Sequence, residues 1–211
     1  MGIQTLGPDV NESNLKFTVN HDGDIRFGLG AVKGVGEAAV QSIMEERRQN
    51  GPFLGIFDFV QRVNLNACNK KNMECLALAG GFDSFPELKR EQYFAVNSKG
   101  EVFLETLMRY GNRYQADKAA AVNSLFGGEN VIDVATPEIP QGVERWSDLD
   151  RLNRERDLVG IYLSAHPLDE FSIVLEHVCY TRMADLEDKA ALVGREITMG
   201  GIVTSVRRGV S

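Results

Sequence analysis

Leu29-Gly-Ala-Val-Lys-Gly-Val-Gly-Glu-Ala-Ala-Val-Gln-Ser-Ile43 decides how this chain reads. A short helix, a tight Gly-x-Gly turn at Gly34, Val35 and Gly36, and a second amphipathic helix follow one another within fifteen residues. Glycine suits such a turn because it reaches φ > 0 and lets another backbone come close. The turn aims backbone N–H groups and a helix N-terminus at one place, and that place attracts an anion, most often a phosphate. Lys33, just before the first glycine, adds a mobile positive charge. Read alone, the pattern fits a phosphate-gripping hairpin or a plain connector between two helices.

The spacing resembles the helix-hairpin-helix motif, which holds the sugar-phosphate backbone of DNA without reading bases. Val40 stands where many such motifs carry a small Ala, and Glu37-Ala38 replace the catalytic Lys that glycosylase members place at the start of the second helix. Base-excision chemistry is therefore not indicated.

The 211 residues suffice for one sizeable domain or two small ones, and 43% hydrophobic with 25% charged residues is ordinary globular composition. No apolar run approaches the ~20 residues of a membrane span, and no basic-then-apolar signal segment opens the chain. Cys68, Cys75 and Cys179 show no Cys-x-x-Cys spacing, which suits a reducing cytoplasm. His177 and Cys179 are the only close His/Cys pair and lack further ligands, so no metal site is expected.

The net charge of −7 argues against a general nucleic-acid coat. Its distribution is uneven. Residues 24–71 hold seven basic side chains against five acidic ones, whereas residues 112–211 hold 11 against 16. Any DNA contact is expected as a local patch in the first half. Few phosphates would be neutralised, so binding should be weak and sensitive to salt.

Along the chain, 15–19 and 25–27 read as strands of a small hairpin around the turn formers Asn20–Asp24. A helix is predicted over about 37–49, with Val40, Ile43 and Met44 inward, the charges of 45–48 outward, and Gly51-Pro52 as its stop. Residues 55–63 form a short apolar helix. Asn69 caps another through Ala79, ending at Gly80-Gly81. A further helical stretch runs from after Pro86 to about Ala121, with a break near 97–100. This helix, double-glycine turn and helix recur roughly 46 residues after the first unit and read as a second, degenerate hairpin or a lone turn. Residues 127–145 read as an exposed linker, 147–163 as a charged helix capped by Ser147, and 168–177 as a short helix. Ile197–Val206 is β-type with Gly200-Gly201 at a bend, as at the cut start of a further domain.

Six landmarks then stand in order: Gly7–Ser13, Ile25–Ala39, Gly51–Phe59, Asn69-Lys-Lys, Ala79–Asp83 and Gly160-Ile-Tyr-Leu-Ser-Ala-His-Pro-Leu168. Together they resemble the alpha subunit of bacterial DNA polymerase III, a C-family replicative polymerase, over nearly the whole chain. Ala165 replaces that family's usual glycine. The resemblance implies a mainly α-helical fold: a tandem helix-hairpin-helix domain with a small N-terminal β-hairpin, a short helical segment and the truncated start of an OB-fold. The expected divisions are 1–28 for the hairpin segment, 29–121 for the tandem domain, 122–145 for a clamp-binding segment and linker, 146–192 for a helical connector, and 193–211 for the OB start.

The resemblance further implies sequence-independent contact with double-stranded DNA at Lys33, Gly34, Val35 and Gly36, and at Gly80 and Gly81. It implies docking of a sliding clamp through Leu125 and Phe126, where Val122 stands in place of the family's Gln. Other replicase subunits are implied partners, and the setting is cytoplasmic, away from membranes. The family's nucleotidyl transfer uses metal-holding carboxylates in an upstream palm. No catalytic residue and no cofactor is therefore expected in these residues, while Mg is expected for the parent polymerase. Two rival readings stay open: a repair enzyme of the helix-hairpin-helix class, and a protein-interaction scaffold whose hairpins only pack.

Overall fold

The computed structural model describes residues 3–123, 134–203 and 206, and the chain forms two compact units, Met1–Ser164 and Ala165–Ser211. The first unit opens with three two-residue strands, β1 (Thr5–Leu6), β2 (Thr18–Val19) and β3 (Ile25–Arg26), in the order β1-β3-β2. The expected hairpin is the antiparallel pair β2–β3, with Thr18 opposite Arg26. Its turn is closed by Asn20, whose Oδ1 accepts from the amides of Asp22 (3.0 Å) and Asp24 (2.9 Å). Strand β1 lies parallel to β3, Thr5 beside Ile25. So short a strand carries no periodic signal; its partner 20 residues away creates it.

Helix α1 (Glu37–Asn50) buries Ala39, Val40 and Ile43 and stops at Gly51, where φ is +82°. Helix α2 (Ile56–Arg62) buries Ile56, Phe59 and Val60. Helix α3 (Lys70–Ala79) starts at Asn69, whose side chain accepts from the Asn72 amide at 3.2 Å, and stops at Gly80 in the left-handed region. A 3₁₀ turn at Arg90–Phe94 and an isolated bridge between Val96 and Val102 lead to helix α4 (Phe103–Asn123). Helix α5 (Asp148–Val159) is capped by Ser147, which accepts from the Asp150 amide at 3.1 Å, and closed by Gly160. The starts of α3 and α5 and the stops of α1, α3 and α5 therefore rest on local devices: a side-chain acceptor for an orphan amide, or glycine where an L side chain would be strained.

The core is a chain of edge-on and offset rings. Phe53 meets Phe59 at 4.7 Å, Phe59 meets Phe82 at 5.1 Å, and Phe82 meets Tyr93 at 5.6 Å between centroids. Ile43, Ile56, Met73, Leu76, Leu104 and Leu107 surround them, all fully buried. At roughly 1.5–3 kcal/mol per buried large side chain, this cluster is the main stabilising term of the unit.

Two expectations about polar residues need correction. The 45–48 charges do not all face solvent. Arg47 donates to the carbonyls of Val10 (2.9 Å) and Ser13 (3.1 Å), because the N-terminal segment folds back over α1 and leaves those carbonyls needing a donor. Glu46 accepts from Arg62 at 2.9 Å, tying α1 to α2. Nor is the described part of the linker free: Val134 and Ile139 pack on the core, and the Pro140 carbonyl accepts from Gln92 at 2.7 Å.

The charged helix α5 lies within the first compact unit, which ends at Ser164. A buried ion pair holds it there: Arg90 donates to Glu155 at 2.8 Å.

The second unit contains a 3₁₀ turn at Asp169–Phe171, helix α6 (Ser172–His177), a 3₁₀ turn at Met183–Glu187 and helix α7 (Lys189–Leu192). The expected OB strand is not formed among the described residues of 193–211. There the backbone makes one tie of note, from the Thr181 amide to the Thr198 carbonyl at 3.2 Å. A β-type sequence becomes a strand only where a partner supplies a ladder.

Candidate nucleic-acid interface

The first hairpin begins with a 3₁₀ turn, Leu29–Ala31, rather than a full helix. Lys33 and Gly34 form the exposed tip, and α1 starts three residues on, at Glu37. Gly34 has φ +87°, and a Cβ built there would lie 2.6 Å from the Sγ of buried Cys75 on α3. Glycine is thus required twice over at this position, by backbone conformation and by close approach. Gly36 differs from expectation. It is the N-cap of α1 with φ −76° and ψ 150°, a conformation open to any residue. Val35 turns its side chain into the core, only 8% exposed, and its amide donates to the Val32 carbonyl at 3.1 Å.

A second hairpin faces the first, though not at the place the sequence suggested. Helices α2 and α3 are joined by residues 63–69, and the start of α3 lies against the start of α1. Asn72 makes the junction. Its Oδ1 accepts from the Gly36 amide at 2.8 Å, and its Nδ2 donates to the Ala67 carbonyl at 3.3 Å in the second hairpin. The Lys33 amide is also spent, donating to the Leu158 carbonyl of α5 at 2.9 Å.

What remains open is specific. Among the described residues the amides of Gly34, Glu37 and Ala38 on one hairpin, and of Lys70 and Lys71 on the other, have no acceptor. All five residues are exposed. Four of them are first-turn donors that a helix cannot satisfy internally, the fifth belongs to the turn just before α1, and two adjoining helix starts present them together. Lys33 and Lys71 form no ion pair among the described residues, so their charges are available. Lys70 is engaged instead: its ammonium contacts Glu105, and that hydrogen bond raises its pKa while lowering that of Glu105. Under the tip, burial pushes the Cys75 thiol up, offset in part by Lys71.

Gly80 and Gly81, expected as the second gripping turn, sit elsewhere in chemistry and in space. Both are buried. The Gly81 amide donates back to Leu76 at 2.7 Å, its carbonyl accepts from Val10 at 3.0 Å, and the Gly80 amide turns toward Ala77. This is a left-handed stop for α3 with its donors spent inside the protein. Lys70, Lys71 and Asn72, at the start of α3, carry a signal in the sequence: Asn69 before two lysines marks a capped, basic helix start. Leu125 and Phe126 lie outside the described residues. No group of three or more His, Cys, Asp or Glu able to hold a metal occurs among the described residues. No described helix is long and apolar enough to cross a membrane.

Residues 2–93, which hold these two abutting helix starts, match the family described as the helix-hairpin-helix motif. Over its whole length the chain is related to one segment of the DNA polymerase III alpha subunits. It is 32% identical over 211 residues to the DNA polymerase III subunit alpha of Pasteurella multocida, covering 100% of this chain and 17% of that protein. It is 34% identical over 218 aligned positions to that of Mycobacterium tuberculosis, again 100% and 17%. To that of Chlamydia muridarum it is 36% identical over 189 residues, 89% of this chain and 15% of the relative. The chain thus spans about a sixth of the length of these relatives.

Proposed function

We propose that this chain holds duplex DNA by its phosphates, without regard to sequence, in the service of a replicative DNA polymerase. The observation that carries this is the set of five open amides at the joined starts of α1 and α3, flanked by Lys33 and Lys71. Oriented N–H groups and a helix dipole favour an anion, and contacts made to phosphate carry no base information. A polymerase that must traverse every template needs such a grip. Gly80 and Gly81 take no part in it, and Val35, with its amide donated to the Val32 carbonyl, offers it no free donor.

The acidic overall balance and the exposed Glu37 at the head of α1 keep the grip weak, which suits a surface that slides. In the longer relatives' context, template-directed nucleotidyl transfer with Mg and contacts with other replicase subunits belong to the same proposal. Docking of a sliding clamp through Leu125 and Phe126 rests on their sequence position alone.

The test is fluorescence anisotropy on a short labelled duplex across a salt series, for the wild-type chain and Lys33→Ala/Lys71→Ala. Binding that weakens as salt rises, with a shallower salt dependence in the folded double variant, supports the grip. Equal binding by both proteins, or none from wild type at low salt, leaves the hairpins as packing elements and favours the scaffold reading.

A further inference from the structure

The two hairpins could bind phosphate independently or as one device, and a single buried side chain bears on which. Asn72 is 6% exposed. Both side-chain polar groups and its amide are used: Oδ1 accepts from Gly36 in the first hairpin, Nδ2 donates to Ala67 in the second, and its own amide donates to the cap of α3 at Asn69. Gly34 packs above Cys75 one turn further along the same helix, with the Lys71 Cε 3.8 Å from where a Cβ would be. The first hairpin is therefore seated on the first turn of α3 rather than merely near it.

We infer that Asn72 is a positioning residue that makes the two hairpins a single phosphate clamp. This rests on the duplex-gripping reading above. The physical argument concerns which donors stay free. Gly36 carries the N-cap amide of α1, and once Asn72 takes it, its direction is fixed. The next two amides, Glu37 and Ala38, are then held in one orientation relative to Lys70 and Lys71. Without Asn72, Gly36 is exposed enough for water to satisfy its amide, so the fold survives while the alignment is lost. Five donors aimed at one backbone path would become two sets that move separately, and preorganisation is what keeps such contacts from being offset by ordering costs.

The experiment uses the whole chain as wild type, Asn72→Ala, Lys33→Ala and the double variant. Asn72→Leu, close to Asn in shape, stands in if the alanine variant fails to fold. Duplex binding is followed by anisotropy across salt, and backbone amides by two-dimensional ¹⁵N NMR without DNA. The expected result is a folded Asn72 variant that binds at least tenfold more weakly, with a salt slope reduced by about one phosphate contact or more. Lys33→Ala should then cost less in the Asn72 background than in wild type, because partners in one clamp are not additive. A residue that only stabilises the fold would lower the melting temperature and leave the salt slope alone. In the NMR arm, amides of 33–38 and 64–69 should both shift in the variant.

An unchanged salt slope, additive Lys33 effects, or shifts confined to 64–69 would overturn the inference. If wild type shows no salt-dependent binding, the DNA reading itself fails, and the NMR arm still decides whether Asn72 couples the hairpins.

Discussion

Arg90 and Glu155, 65 residues apart in sequence, meet at 2.8 Å with side chains only 8% and 1% exposed. Arg90 also donates through Nε to Asp83 at 2.9 Å and through Nη1 to the Leu78 carbonyl at 3.2 Å. Glu155 accepts from the amides of Leu163 (3.1 Å) and Ser164 (2.8 Å) and from the Ser164 hydroxyl. The pair therefore joins the stop of α3, helix α5 and the segment after α5 into one network. It also places the Leu158 carbonyl where the Lys33 amide needs it, beside the proposed DNA grip.

Arg90→Ala should be strongly destabilising, by about 3–5 kcal/mol, because it leaves a buried carboxylate without its cation. Urea unfolding of the variant should show a midpoint well below that of wild type. A loss under 1 kcal/mol would mean that α5 is held by its apolar contacts alone.

Acid should weaken the same junction. Burial works to raise the Glu155 pKa, but hydrogen bonds from Ser164 and Arg90 outweigh it, and the net shift is downward from 4.5. A carboxylate with a depressed folded-state pKa contributes stability that is full above its unfolded value and is lost as pH falls through the folded one. Wild-type melting temperature should thus decline below about pH 4.5, and Glu155→Gln, already less stable at neutral pH, should decline less steeply. Parallel pH profiles for the two proteins would remove Glu155 from the account.

The two glycines of the first hairpin should respond differently to alanine. Gly34→Ala forces a side chain onto φ +87° and against the Cys75 sulfur, so a loss of about 1–2 kcal/mol or more is expected. Gly36→Ala meets only the Asn72 Oδ1 at 3.8 Å and keeps an ordinary φ, so it should cost no more than about 0.5–1 kcal/mol, the difference between Gly and Ala as an N-cap. Thermal melts of the two single variants separate these cases, and equal losses would contradict the geometry.

Thiol reactivity should sort the cysteines by environment. Burial pushes the Cys68 thiol up to about 12 and raises that of Cys75, so neither offers thiolate near neutral pH. Cys179 is only half-buried. One thiol should react promptly with an aromatic disulfide reagent in the native chain, and mass mapping should place it at Cys179. Prompt reaction at Cys68 would show that the core around Met73 opens.

The local devices of this fold are legible in the order of its residues. Asn69, Ser147, Gly51 and Gly80 mark helix ends because a side-chain acceptor or a positive-φ glycine acts within three or four residues, whereas the helix read over 147–163 stops earlier, at Gly160. The stripe Val40 and Ile43 is inward as its spacing requires. Kinship with one segment of the polymerase III alpha subunits was also legible, carried by six ordered landmarks.

The tertiary structure alone decided which backbone donors are free. Nothing near Gly36 announces that its amide is taken by Asn72, nor near Lys33 that its own goes to Leu158. Gly80-Gly81 looks like a hairpin in sequence, yet its groups are spent on Leu76 and Val10. A buried amide must find a partner, and a turn's own residues do not say whether that partner is a ligand or another part of the chain. Distant segments, packed by burial of apolar surface, settle it.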